Sequence, residues 1–309
     1  MYKPAALTAL FLFLVLGVTG CTPDAKPADV LVTIKPIHSL VAKVMKGVGT
    51  PGLLIGGGAS AHSYSLKPSD ARALSHAKLI IWVGPDLENF LVGPLHALAG
   101  KAQTLALEYA PDVTHLEPRR GGLWDDGTTP DDNAHNEAHI DPHIWLAPKN
   151  AIAMIGAIAA ALEKTDPAHA AIYAANAKAA IADLRRLDVQ TAAALAPIRA
   201  RPYIVFHDAY HYFETAYHLS PIGAVTVAPE RPVGPRRVET IRSALQTGKA
   251  VCIFREPEFS PKLITTLREG TPAQSGVLDP MGANLEPGPD LYDMLIGNLA
   301  QSLVRCLAP

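Results

Sequence analysis

The stretch AHNEAHIDPHIW, residues 134–145, sets His135, His139 and His143 four residues apart, with Glu137 and Asp141 among them. Imidazole nitrogens and carboxylate oxygens are ligands for divalent metals, and four-residue spacing on a helix stacks such groups on one face. The Asp141-Pro142 step breaks that reading, because proline disfavours helical backbone at the residue before it. The stretch therefore reads as an acidic loop carrying His135 and His139, which runs into an ordered position at His143. His62 follows a strand-like run at 52–55, His207 follows one at 203–206, and Asp279 follows one at 277–278. Ligands of parallel α/β sheets bind in the crevice beyond the carboxyl ends of the strands. His62, His143, His207 and Asp279, two from each half of the chain, are thus expected to form a nitrogen-rich, four-coordinate site of the kind that suits zinc. His76, His96, His169, His211 and His218 lie in helical patterns and are read as solvated surface; His38, near a helix start, is read as structural. His115, His135 and His139 belong to a flexible segment, with at most an auxiliary role for the last two. Gly56-Gly57-Gly58 lacks the spacing of a phosphate loop and is read as a turn.

The elements that must position these residues alternate. Strand-like runs at 30–34, 52–55 and 78–84 are interleaved with helical patterns at 37–45, from Pro68 onward and at 88–98. A long segment rich in Asp, Gly, Pro and Thr then interrupts the order, and helical periodicity resumes at 147–162. Residues 167–195, with Pro167 near the start and alanine nearly throughout, predict one rod on the order of 40 Å long. Beyond Pro197, strands near 203–206, 222–226, 250–254 and 276–278 alternate with helices near 209–217, 237–247, 262–269 and 292–306. The expected fold is α/β: two lobes, each a mainly parallel sheet flanked by helices, joined by one long rigid helix. The expected boundaries are a signal peptide at 1–20, a tether at 21–28 and an N-terminal lobe at 29–165 containing the flexible acidic loop at about 112–141. A connecting helix at 166–196 and a C-terminal lobe at 197–309 complete the chain.

Lys3, the apolar run 5–18 and Val18-Thr19-Gly20-Cys21 read as an export signal, the apolar run being too short for a membrane span. Its end resembles a bacterial lipobox, with Cys21 as the lipid-modified first residue. The chain has three cysteines. If Cys21 is lipidated, Cys252 and Cys306 remain as a pair in an oxidising compartment, where a disulfide persists; closing so long a loop contributes roughly 4 kcal/mol on the chain-entropy model. A formal net charge of −2 offers no electrostatic case for nucleic acid or an anionic membrane, so membrane contact is expected only through a lipid anchor.

The segments ASAHSYSLKPSDARAL, KLIIWVGPDLENFL, DPHIWLAP, VFHDAYHYFE, REPEFSP and VLDPMGAN, spread over nearly all of the chain after the signal, resemble those of the zinc-specific solute-binding proteins of ABC importers, the ZnuA group. The resemblance implies capture of Zn2+ in the periplasm or cell envelope by a monomer, delivery to a membrane permease with its ATPase, and no catalysis. It implies that His62, His143 and His207 take the metal, and that Cys252 and Cys306 form the family's disulfide. His207 bears on the choice of metal, since manganese-type relatives carry a carboxylate at this point. Some zinc-binding members have Glu just before the first histidine, where this chain has Ala61, so the fourth ligand stays open among Asp279, a water and a residue of the acidic loop. The loop is also shorter and poorer in histidine than is common in the family. Two other readings compete: a manganese importer component or adhesin of the same fold, and a secreted zinc hydrolase, for which Glu256 is the one nameable general base.

Overall fold

The computed structural model describes residues 29–125, 140–227, 229 and 232–308. Two four-stranded, wholly parallel sheets emerge. In the first, β1 (Val30–Val32), β2 (Gly52–Leu53), β3 (Leu79–Trp82) and β4 (Gln103–Ala106) lie in the order β2-β1-β3-β4. In the second, β5 (Tyr203–His207), β6 (Pro221–Thr226), β7 (Cys252–Arg255) and β8 (Gln274–Val277) lie in the order β6-β5-β7-β8. The middle strands are nearly continuous apolar runs, as sheets covered on both faces require. β4 carries the sequence QTLA at a sheet edge and is only partly covered, so it lacks the apolar run that marks the others and escapes sequence inspection.

The crossovers are α1 (Lys35–Val44), α2 (Pro68–His76) and α3 (Asn89–Leu98) in the first lobe. α4 (Pro148–Thr165) and α5 (Ala170–Leu195) follow, then α6 (His211–Tyr217), α7 (Pro235–Gln246), α8 (Lys262–Arg268) and α9 (Leu291–Leu307). The rod expected from residue 167 begins three residues later. Asp166 leaves helical geometry, and Pro167–His169 makes a 3-10 turn before the 26-residue α5, which is about 39 Å long at 1.5 Å per residue. Its buried face is Tyr173, Ala177, Ala180, Leu184, Thr191 and Leu195; small alanines let the neighbouring helices approach closely.

α5 is not the only joint between the lobes. The last helix, α9, returns to α1: Lys43 pairs with Asp293 at 2.9 Å, and Ser39 Oγ accepts from Tyr292 N–H and donates to the Pro289 carbonyl. Lys35 Nζ donates to the carbonyls of Gly282, Ala283 and Leu285 at 3.2, 2.7 and 3.0 Å. One core accordingly runs through both lobes, from Val32, Ile37 and Leu40 through Trp145 and Leu184 to Tyr203, Phe254 and Tyr292. Alternation along β5 sends Ile204 and Phe206 to the opposite face, into a second core with Val225, Ile241, Ile253 and Leu267. Cys252 and Cys306 form a disulfide with Cα atoms 6.2 Å apart, tying the start of β7 to the last turn of α9.

Part of the segment expected to be a flexible loop is a strap across the second lobe. Leu123 bridges to Gly223 of β6, and Ala224 N–H donates to the Leu123 carbonyl. A Cβ on Gly223 would lie 2.1 Å from that of Leu123, so the close approach needs glycine. Arg119 pairs with Asp208 and with Glu214, the latter at 2.8 Å, and its guanidinium stacks 3.6 Å from the Trp124 ring.

Beyond β3 the chain turns at Gly84, whose φ of +154° and contact with the Glu108 side chain exclude other residues. Glu88, fully buried, accepts from Gly84 N–H at 3.0 Å, and burial, with a smaller contribution from Glu108, lifts its pKa from 4.5 to about 7. A carboxyl raised in the folded state contributes stability that is complete below the unfolded pKa and is lost as pH rises towards 7. Glu88→Gln keeps the acceptor and removes the titration. It should be nearly neutral at pH 5 and stabilising at pH 8, by at most roughly 3 kcal/mol from 1.36 kcal/mol per unit; thermal melts at the two pH values check this, and an equal effect at both would refute it.

Candidate metal centre

Both sheet orders reverse between their two central strands, and at that point the crevice opens. In the second lobe β5 ends on His207, and the residue after β7 is Glu256, so the two side chains meet at the switch point. His207 Nδ1 lies 2.7 and 2.8 Å from the Glu256 oxygens. Across the cleft, the 3-10 turn Ile144–Leu146 holds His143 just outside it, and Asp141, freed by the proline at 142, folds back to place Oδ1 2.8 Å from His143 Nδ1. His62 enters from the turn-rich segment after β2.

The three rings converge. His143 Nε2 is 3.3 Å from Nε2 of His62 and 3.3 Å from Nε2 of His207, and one ligand atom from each residue falls within 4.8 Å of the others. Carboxylate partners at Nδ1 fix His143 and His207 in the tautomer with the proton on Nδ1, leaving Nε2 as a lone-pair donor facing its counterpart. Nitrogens aimed at one point in this way are a donor set that could hold a metal ion. The cavity they share is about 20 Å³, lined also by Leu87, Trp145, Phe259, Pro280 and Met281, room for an ion and a further small ligand.

Burial, and then the neighbouring imidazoles, hold His62 well below the usual histidine pKa, and His143 shifts the same way chiefly by burial. Burial also works against charge on His207, but Glu256 outweighs it and the pKa is raised. Asp141 is pushed up to about 6 by burial, and Glu258, at the cavity wall, to about 7 by burial and by Glu256 and Asp279.

Of the residues singled out in the sequence, His62, His143 and His207 are brought together. Asp279 is not in the cluster: its oxygens accept from the backbone N–H groups of Met281 and Gly282 (Oδ1, 3.1 and 2.8 Å) and Ala283 (Oδ2, 2.8 Å), closing the turn after the strand. His135, His139 and Cys21 lie outside the described residues. His38 is buried with Nε2 3.1 Å from the Pro51 carbonyl, and His115 Nε2 lies 2.6 Å from that of Glu108. His211, expected at the surface, is half-buried with Nδ1 3.7 Å from Asp141. Asp141 and Glu256 were not anticipated as histidine partners; the Asp-x-His spacing of residues 141–143 was the available signal for the first.

Residues 30–306 match the family model described as zinc-uptake complex component A periplasmic, ZnuA. The chain belongs to the ZnuA family. The family is one of zinc-uptake solute-binding proteins and not of enzymes. Among its relatives, the high-affinity zinc uptake system protein ZnuA of Brucella suis is 42% identical over 94% of this chain and 95% of its own length. The Yersinia pestis protein of the same name is 37% identical, with 91% of each chain covered. A crystal structure of ZnuA superposes with a TM-score of 0.77 at 25% identity, covering 92% of this ZnuA-family chain and all of the other.

Proposed function

We propose that this chain captures Zn2+ outside the cytoplasmic membrane through His62, His143 and His207 and hands it to the permease of an ABC importer. The carrying observation is the convergence of three Nε2 atoms on one small cavity between the lobes. Nitrogen ligation favours zinc over manganese, for which oxygen-rich sites are the rule. Asp141 and Glu256 then act on the metal through the imidazoles they orient. Glu256, considered as a general base, is buried against His207 Nδ1 and accepts from the Tyr210 hydroxyl at 3.1 Å, so its oxygens are engaged in orienting that ring. Export through residues 1–20, lipid attachment at Cys21 and action as a monomer belong to the same reading, as do His135 and His139 as auxiliary residues without a share in equilibrium affinity.

Calorimetric titration of the apo chain with Zn2+ and, in competition, Mn2+ tests the reading. One submicromolar zinc site per chain, displaced poorly by manganese, is expected; no such site would end the proposal. The pH dependence follows from the ligands. Zinc needs Nε2 unprotonated; His62 and His143 are already neutral at neutral pH, whereas His207, raised above 6.5, is the first to take a proton. Affinity should therefore hold at high pH and fall by about tenfold per unit below the pKa of His207, one proton being displaced per zinc. A flat profile between pH 8 and 5.5 would contradict it.

A further inference from the structure

Three neutral imidazoles leave a bound dication with its whole charge inside an apolar pocket, and the neighbour of His62 in the chain is Ala61, which has no charge to offer. The carboxylates around the cleft are nearly all committed. Asp141 holds His143, Glu256 holds His207 and Tyr210, Asp208 pairs with Arg119, and Asp279 is taken by three backbone N–H groups. Glu258 differs from them. It lines the same cavity as the three histidines, and among the described residues neither of its oxygens has a hydrogen-bond partner although both are shielded from solvent. A carboxyl group buried without partners is unfavourable unless something offsets it.

We propose that Glu258 is the fourth zinc ligand, its carboxylate turning onto the metal held by His62, His143 and His207. The assignment rests on the zinc reading above. Zinc accepts carboxylate oxygen at about 2.0–2.2 Å in tetrahedral sites, and one anionic ligand halves the net charge that the pocket must bury. Glu258 stands two residues beyond Glu256, in the segment that follows β7. The strand end that orients His207 thus also supplies the oxygen. The cation, in turn, answers the unpaired carboxylate.

The test is zinc titration by chelator competition of the full chain, Glu258→Gln and His207→Ala, with thermal melts of each apo protein. Glu258→Gln is expected to lose zinc affinity by roughly tenfold or more, while its apo melting temperature stays level or rises because a buried, unpartnered charge is gone. A loss of less than fivefold overturns the assignment. If His207→Ala still loses binding in that case, the zinc reading stands and only the fourth ligand is wrong; if the unaltered chain shows no submicromolar site, the zinc reading itself fails. A zinc-bound crystal structure of the unaltered chain decides the same point by direct observation. A Glu258 oxygen in contact with the anomalous peak supports the proposal, and a water or any other residue in that position refutes it.

Discussion

His207→Ala should cost zinc affinity on the order of a hundredfold or more while leaving a folded chain. Apparent binding energies of about 10–16 kcal/mol for four-ligand zinc sites place roughly 3 kcal/mol on each ligand. At His207 the loss goes further, since the substitution also takes from Glu256 its closest partner and leaves it the Tyr210 hydroxyl at 3.1 Å and the residue 207 N–H at 3.4 Å. The second effect weakens the apo protein by about 1–3 kcal/mol, the usual cost of stranding a buried polar group. Chelator competition reads the first effect and a thermal melt the second. His76→Ala, at an exposed position on α2, is the control and should change neither. Affinity within tenfold of the parent in His207→Ala would mean that His207 is not a zinc ligand, and the three-histidine reading of the cleft would fall with it.

Trp145→Ala should be the most damaging single change to the fold near the site. Trp145 is fully buried where the lobes meet, two residues after His143. Its Nε1–H donates to the Pro280 carbonyl at 2.8 Å, its own carbonyl accepts from the Tyr292 hydroxyl at 2.7 Å, and its ring lies 5.3 Å from that of His143. Removing the ring empties the centre of the shared core, for which a loss of about 3–5 kcal/mol is typical. In a chain of this size that lowers the melting temperature by roughly 10 °C. Zinc affinity should fall as well, by less than in His207→Ala, because the His143 ring loses the wall it leans on and keeps its bond to Asp141. Denaturant titration measures the stability change, and a loss below about 1 kcal/mol would show that the lobes meet without this side chain.

The sequence carried the central strands and the cluster's three histidines for one shared reason. Apolar runs must be covered on both faces, and polar residues placed just beyond their carboxyl ends have few places to go except the crevice. Asp279 obeys the same positional logic, yet local chemistry claims it first: an aspartate ahead of Pro280-Met281-Gly282 meets the backbone amides of its own turn before it can reach a metal. The strap through Arg119, Leu123 and Trp124 was illegible because its anchors, Asp208, Glu214 and Gly223, are about a hundred residues away and nothing periodic points to them. Glu256 as partner of His207 is hidden for the same reason, 49 residues apart in sequence and 2.7 Å apart in space.

The helices that cross between the lobes have a consequence for how cargo is noticed. With α5 spanning both lobes, α9 clasped to α1, and Lys35 bonded to three carbonyls of the opposite lobe, a swing of one lobe against the other would tear a continuous apolar core. Loading therefore leaves the outline of the molecule almost unchanged, and solution scattering should not distinguish full from empty. A change on loading is expected at the mouth of the cleft, where partly buried His62 lies among exposed neighbours. A membrane partner that tells the two states apart has to do so by touch at that rim, not by the posture of the lobes.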